Sequence, residues 1–170
     1  LLLGFAQADL NLPANFFLTL GGSANFLKYD FESRPVSASP IFQSSDFDPV
    51  FSPRIALLKK MTPTLSIYGS VSNGFSPPTL AEVRPSTNNI NTNLNPERGT
   101  NYEMGIRGKL KSLSFDFTGY NFQLKETIVI QRTPDGADYF VNAGSTSQRG
   151  LEATLSWNAW VQKTGFISDL

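Results

Sequence analysis

The sequence predicts an all-β protein made of antiparallel transmembrane β-barrel strands in an up-and-down meander. The first observation is alternation: seven stretches of roughly ten residues alternate apolar with polar or charged side chains. Successive strand side chains point to opposite faces, so each stretch separates a dry surrounding from a wet one. The second is the spacing of the junctions, which are short at residues 13–15, 62–63 and 111–112 and long at 32–51, 75–96 and 133–147. Outer-membrane barrels join their strands in this way, with short periplasmic turns and longer extracellular loops. The third is composition: charged residues make up 16% of the chain, against about 25% in a typical soluble domain.

The bulk numbers also exclude whole classes of function. No apolar run approaches the roughly 18 residues of a membrane helix, and the mean hydropathy is −0.17. A barrel passes this filter because half of each strand faces a polar interior. The formal net charge is zero, so no overall field draws nucleic acid. Without Cys or His the chain cannot build disulfides, thiolate sites, His-ligated metal or haem, or a His-based triad. No Gly-x-Ser-x-Gly elbow and no spacing-defined carboxylate pair occurs, so neither an enzyme nor a resident cofactor is expected. The opening Leu1-Leu2-Leu3-Gly4-Phe5 carries no initiator Met and no basic leader, as expected of a chain that starts inside a domain.

In order, residues 4–12 form a strand, Pro13-Ala14-Asn15 supplies turn chemistry, and a long return strand runs over 16–31. Its faces are Leu18, Leu20, Gly22, Ala24 and Phe26 against Thr19, Gly21, Ser23 and Asn25. Pro35, Pro40 and Pro49 remove ladder donors from 32–51, which is expected to be a connection. Residues 53–61 and 64–74 make a second hairpin about Thr62-Pro63. In its return strand Leu65, Ile67, Gly69 and Val71 oppose Thr64, Ser66, Tyr68, Ser70 and Ser72. A polar loop covers 75–96, entered through Pro77-Pro78, which end the ladder. Strand 97–110 follows, with Tyr102, Met104, Ile106, Gly108 and Leu110 opposite Asn101, Glu103, Gly105, Arg107 and Lys109. The long strand 113–132 changes aromatic parity between Phe117 and Tyr120, which predicts a β-bulge near Gly119. Thr133-Pro134-Asp135-Gly136 turns, 139–144 is a short extended piece, Asn142-Ala143-Gly144 reads as a turn or bulge, and 148–157 is the last clear strand. An eighth strand is expected about Gly165-Phe166-Ile167.

Arg or Lys on a lipid face at the membrane midplane costs roughly 2–4 kcal/mol. Tyr68, Ser70, Glu103, Arg107, Lys109 and Glu152 are therefore expected to face the lumen, with Glu97 and Glu103 pairing with Arg98 or Arg107. Tyr102, Trp157 and Trp160 are candidates for interfacial girdles, since their amphipathic rings suit headgroup depth. Phe75, Asn88, Asn89 and Asn91 are the loop residues best placed to touch a ligand.

Three stretches carry a family likeness: the strand and Pro-Pro loop from Ser70 through Ser76-Pro77-Pro78-Thr79-Leu80-Ala81-Glu82; Leu94-Asn95-Pro96-Glu97 with Asn101-Tyr102-Glu103-Met104-Gly105; and Tyr139-Phe140-Val141-Asn142-Ala143-Gly144 with Gly150-Leu151-Glu152. In this order and spacing they resemble the middle-to-late barrel strands of TonB-dependent outer-membrane receptors, especially the ferric-siderophore branch. The likeness covers about residues 50–157 well and the first fifty loosely, through Gly4-Phe5-Ala6-Gln7-Ala8-Asp9. It implies seven or eight strands of a 22-stranded barrel in the outer membrane of a Gram-negative bacterium. It also implies contact with outer-membrane lipid, a ferric-siderophore-type ligand or similar scarce nutrient, and coupling to the TonB energy-transducing complex through a plug. Residues 1–170 resemble neither the plug nor a TonB box, and Ser168-Asp169-Leu170 departs from the family's usual terminal aromatic. The expectation is a partial barrel domain, without closing strands, that does not transport alone. Two other readings fit the alternation: a complete eight-stranded outer-membrane barrel with a structural or adhesive role, and a soluble β-sandwich binding module. A compact, heat-modifiable monomer in detergent marks the first, and partition into water without detergent the second.

Overall fold

A computed structural model describes residues 2–33, 41–84, 91 and 93–158. Their elements are β1 (Leu2–Leu12), β2 (Phe16–Phe26), β3 (Lys28–Ser33), β4 (Ile41–Asp46), β5 (Val50–Thr62), β6 (Leu65–Ser76), α1 (Leu80–Val83), β7 (Glu97–Leu110), β8 (Leu113–Arg132) and β9 (Asp138–Trp157). Seven strands make one sheet in the order β1-β2-β5-β6-β7-β8-β9, all antiparallel. The sheet is open, with β1 and β9 at its edges, and β3 and β4 pair separately.

The short turns fall where the sequence places them. Ala14 and Asn15 have φ of 59° and 62°, and the Phe16 amide donates to the Pro13 carbonyl. Two consecutive left-handed residues make a type I′ turn, whose twist matches that of the flanking strands. Lys111, with φ of 47°, closes the β7–β8 hairpin in the same left-handed region.

Four expectations are corrected at the loop end. The return strand stops at Phe26, because at Leu27 the chain leaves the sheet and its carbonyl accepts from the Phe47 amide. The alternation then continues in a separate ribbon: β3 pairs with β4 from Lys28↔Asp46 to Ser33↔Ile41, and Tyr29 meets Phe31 and Phe47 edge-on. The 32–51 connection therefore contains strand. Within 75–96, Thr79 and Glu82 form a capping box that starts α1: the Glu82 carboxylate accepts from the Thr79 amide at 2.6 Å, and the Thr79 hydroxyl accepts from the Glu82 amide. Two of the orphan amides at the start of this single turn are thereby satisfied. Residues 133–147 are not a long loop either. The turn spans only Thr133 to Ala137, and β9 is continuous from Asp138 to Trp157, so the β8–β9 hairpin projects beyond its neighbours. At its tip the Arg132 guanidinium donates to Asp138 at 2.7 Å, and this hydrogen bond holds the Asp138 carboxyl below its ordinary range.

The bulge also moves. Register is unbroken through Gly119, which pairs with Met104 and Leu151, and the irregularity lies between Lys125 and Ile128. There Glu126, with φ of 57°, is the extra residue. The change of aromatic parity has another cause: Phe115 and Phe117 lie on one face, while Tyr120 and Phe122 lie on the other and cover glycines. A Cβ added at Gly150 or Gly99 would strike the Tyr120 or Phe122 ring.

Directly paired residues share a face, so the registers sort every side chain. One face is apolar: Leu10, Leu18, Leu57, Gly69, Met104, Gly119 and Leu151 form one cross-strand row. It is bare, with Met104 76% and Leu151 90% exposed. The apolar stretch runs the length of β1 from Leu2, yet on β9 it is confined to residues 151–157. It drifts across the hydrogen-bonded rows by roughly one residue per strand. With a rise of about 3.3 Å and a strand spacing of about 4.8 Å, a level band requires strands tilted by about 35°, the inclination of outer-membrane barrels. The described side chains that are buried gather at the loop end: Asn25, Val50, Pro78, Val83, Leu94 and Pro96.

Candidate functional site

The other face of the sheet is polar, and its centre is a connected cluster. Tyr68 on β6, Arg107 on β7 and Asp116 on β8 meet because register sets Arg107 opposite Asp116 and Tyr68 opposite Gly105. The Tyr68 hydroxyl donates to Asp116 at 2.8 Å, Arg107 pairs with the same carboxylate at 3.3 Å, and the guanidinium lies over the Tyr68 ring, 4.4 Å from its centre. One row toward the loops, Glu103 accepts from Asn101 at 2.7 Å and from Ser70 at 3.4 Å. A carboxylate held by neutral donors beside an Arg–Asp pair offers both acceptors and a cation to a polar solute.

Glycine makes this packing possible at one position. A Cβ on Gly105 would collide with the Tyr68 ring and stand 2.8 Å from the Phe117 carbonyl oxygen. Gly105→Ala is therefore expected to displace Tyr68 from Asp116 and destabilise the wall by about 1–2 kcal/mol. Chemical denaturation of the refolded protein checks this; an unchanged midpoint would refute the contact.

All six lumen candidates, Tyr68, Ser70, Glu103, Arg107, Lys109 and Glu152, lie on this one face. Among the described residues the expected ion pairs do not form. Arg98 points to the face opposite Glu97, and Arg107 stands four residues from Glu103 along the strand, so both carboxylates and Arg107 take other partners. Asp116 takes Arg107, and Glu97 accepts from the Ile128 amide at 2.9 Å. Asp116, Asn101 and Thr118, whose hydroxyl lies 2.5 Å from that of Tyr68, are not legible as site residues, because only cross-strand register brings them together.

The loop candidates separate. Phe75 lies on the apolar face, opposite Arg98. Asn91 is committed to the protein: its side chain donates to the Phe140 carbonyl at 2.8 Å and accepts from the Asn93 amide. Asn88, Asn89, Trp160 and the segment about Gly165 lie outside the described residues. Tyr102 and Trp157 lie on the apolar face at the two ends of its band, 43% and 74% exposed.

A second constellation joins two of the sequence motifs at the rim. The Asn142 amide donates to the Asn95 carbonyl at 2.9 Å and to the Glu126 carbonyl at 2.7 Å, and its oxygen accepts from the Asn95 amide at 2.7 Å. Asn142 thus pins the β6–β7 connection to the bulge, and the bulge expected at 142–144 is where the registers of β8 and β9 shift.

A tilted meander with one bare apolar face, one polar networked face and structured connections at a single end is a segment of a transmembrane β-barrel wall. The chain belongs to the TonB dependent receptor-like, beta-barrel family, whose model matches residues 2–169, and its sheet is part of an outer-membrane barrel. It is 27% identical over 174 residues to the iron-regulated outer membrane virulence protein of Vibrio cholerae, a match covering 90% of this chain and 24% of that protein. It is also 27% identical over 105 residues to the metal-pseudopaline receptor CntO of Pseudomonas aeruginosa, covering 62% and 14%. In fold it resembles the ferric-catecholate import receptor Fiu of E. coli K12, with a TM-score of 0.69 at 16% identity over 92% of this chain and 25% of that one. The chain thus spans about a quarter of the length of the V. cholerae relative.

Proposed function

We propose that this chain forms part of the wall and outer rim of a TonB-dependent receptor that imports an iron chelate of the ferric-siderophore type. In this reading the apolar face meets outer-membrane lipid, and Tyr68, Ser70, Glu103, Arg107, Lys109 and Glu152 line the lumen. Trp157 and Tyr102 sit at the two headgroup levels. Energy reaches the intact receptor from the TonB complex through a plug domain, in keeping with a family of transport receptors. The observation that carries the reading is the separation of charge: Asp9, Glu97, Glu103, Asp116 and Glu152, the acids of the sheet before the bulge, all share the polar face. Lipid rejects such groups and a water-filled lumen accepts them. Support for the cargo class is that the chain's relatives include an iron-regulated outer membrane protein and a metal-pseudopaline receptor. Among the described residues β1 and β9 are the unpaired edges of an open sheet that encloses nothing, and in this reading the segment acts only within the closed wall of the whole receptor.

The test is transport by the intact receptor containing this segment. Cells lacking its gene are expected to lose uptake of radioiron from at least one member of a panel of ferric catecholates, hydroxamates and carboxylates. The gene is expected to restore that uptake, and collapse of the proton gradient to abolish it. Undiminished uptake of every chelate in the deletion strain would overturn the assignment.

A further inference from the structure

The polar face carries two groups out of keeping with the rest of it. Phe5 and Leu3 on β1 project to that face, opposite Ser23 and Asn25, and stand 83% and 57% exposed. Other aromatics of the face are occupied: Tyr120 and Phe122 lie over Gly150 and Gly99, and the Lys60 ammonium lies 4.6 Å from the centre of the Phe17 ring. Phe5 lies against no glycine and meets no other ring among the described residues. The second group is Arg54 on β5, exposed and without a hydrogen bond or ion pair among the described residues. The acids one row away are held elsewhere. Asp9 accepts from Thr19 at 2.6 Å and from Gln7 at 3.1 Å, and Glu103 is held by Asn101 and Ser70.

We propose that Phe5 and Arg54 form a lumenal site for the aryl groups of an anionic ferric chelate, so that the cargo is a catecholate rather than a hydroxamate or a simple carboxylate complex. Register places the two side chains for this. They stand two strands apart and two residues out of step, about 12 Å between their backbones. The floor between them is made of small residues, since Ser23 pairs with Phe5 and Gly21 with Arg54. A planar ring fits upright in that gap, with one face in an offset stack on Phe5 and the other within reach of the guanidinium. The catecholate oxygens that hold the iron carry the negative charge that Arg54 accepts. Leu3, the next residue of the same face toward the loops, lengthens the apolar side of the gap. Phe5 lies only three residues from Leu2, at the loop end of its strand, so the site is in the outer part of the wall. A hydroxamate chelate presents neither an aryl face nor a net negative charge, and a citrate complex presents charge alone and leaves Phe5 facing water.

The site rests on the transport reading above and adds to it the class of cargo. The intact receptor, purified in detergent, is titrated with the radioiron complexes of dihydroxybenzoylserine, desferrioxamine B and citrate. Wild type is expected to bind the catecholate about tenfold or more tightly than either of the others. Arg54→Gln and Phe5→Ala are each expected to weaken catecholate binding by about tenfold and to leave that of the hydroxamate unchanged. Phe5→Tyr, which keeps the ring, is expected to retain binding, and heat-dependent gel mobility shows that each variant is folded. Catecholate affinity unchanged in both variants, or absent or weaker than that for another complex in wild type, would overturn the proposal. So would an equal loss for all three complexes, which would mean that the two residues act through the rest of the receptor. Uptake in the deletion strain separates the two readings. If the gene restores uptake of the citrate or hydroxamate complex alone, only the catecholate site fails; if it restores none, the transport reading fails and the site with it.

Discussion

Ile106→Arg is expected to lower the stability of the membrane-inserted barrel by roughly 2–4 kcal/mol, the cost of Arg on a lipid-facing position near the midplane. Ile106 is the middle residue of the apolar stretch of β7 between Tyr102 and Leu110, and its cross-strand partners are Ile67 and Phe117. A guanidinium there would have no anion within reach. The adjacent Arg107 shows the contrast, since it points the other way onto Asp116 at 3.3 Å. Thr154→Arg is the matched control. It lies opposite Asp116 on the polar face, where an added cation is expected to change stability by no more than about 0.5 kcal/mol. Denaturant titration of the receptor refolded into phosphatidylcholine vesicles, followed by heat-dependent gel mobility, measures both. Equal effects of the two substitutions would mean that the faces are assigned wrongly.

Asn142→Asp is expected to free the rim while leaving the wall intact. The substitution keeps shape and the acceptor for the Asn95 amide, but it replaces the donor to the Asn95 and Glu126 carbonyls with a carboxylate oxygen facing both. Two stranded carbonyls and the added repulsion correspond to about 2–3 kcal/mol for local opening. Asn142→Ala removes the bonds without the repulsion and is expected to cost less. The readout is hydrogen exchange: the Asn95 amide, bonded to Asn142, and the Ile128 amide, bonded to Glu97, should lose protection by roughly 30- to 150-fold. Amides of β6 and β7 below the rim should keep theirs. Loss of protection through the whole sheet would show that Asn142 supports the wall rather than the loops.

The strands were legible because a wall between lipid and water imposes alternation residue by residue. The pattern Leu65, Ile67, Gly69, Val71 against Ser66, Tyr68, Ser70, Ser72 is sufficient to orient β6. Long-range closure at the loop end leaves no such periodic trace. The break at Leu27 depends on Phe47, twenty residues away, and the continuity of β9 depends on pairing with β8. The capping box was written in Thr79-Leu80-Ala81-Glu82, but a single helical turn is too short to show a period. The bulge was misplaced because aromatics on both parities suggested a shift of register, whereas Tyr120 and Phe122 were filling space above glycines on neighbouring strands.

The order of residues is enough to make the chain a two-faced β meander with short turns at one end, to say which residues share a face, and to bring Tyr68, Ser70, Glu103, Arg107, Lys109 and Glu152 together. These follow from period two, which each strand carries alone. Contacts come from the paired sheet: Arg107 with Asp116, Glu97 with the Ile128 amide, Asn142 with Asn95. It also set Arg98 directly against Lys125 and gave the tilt of the apolar band. The physical reason is register, a relation between strands that remains undefined until their hydrogen bonds are paired.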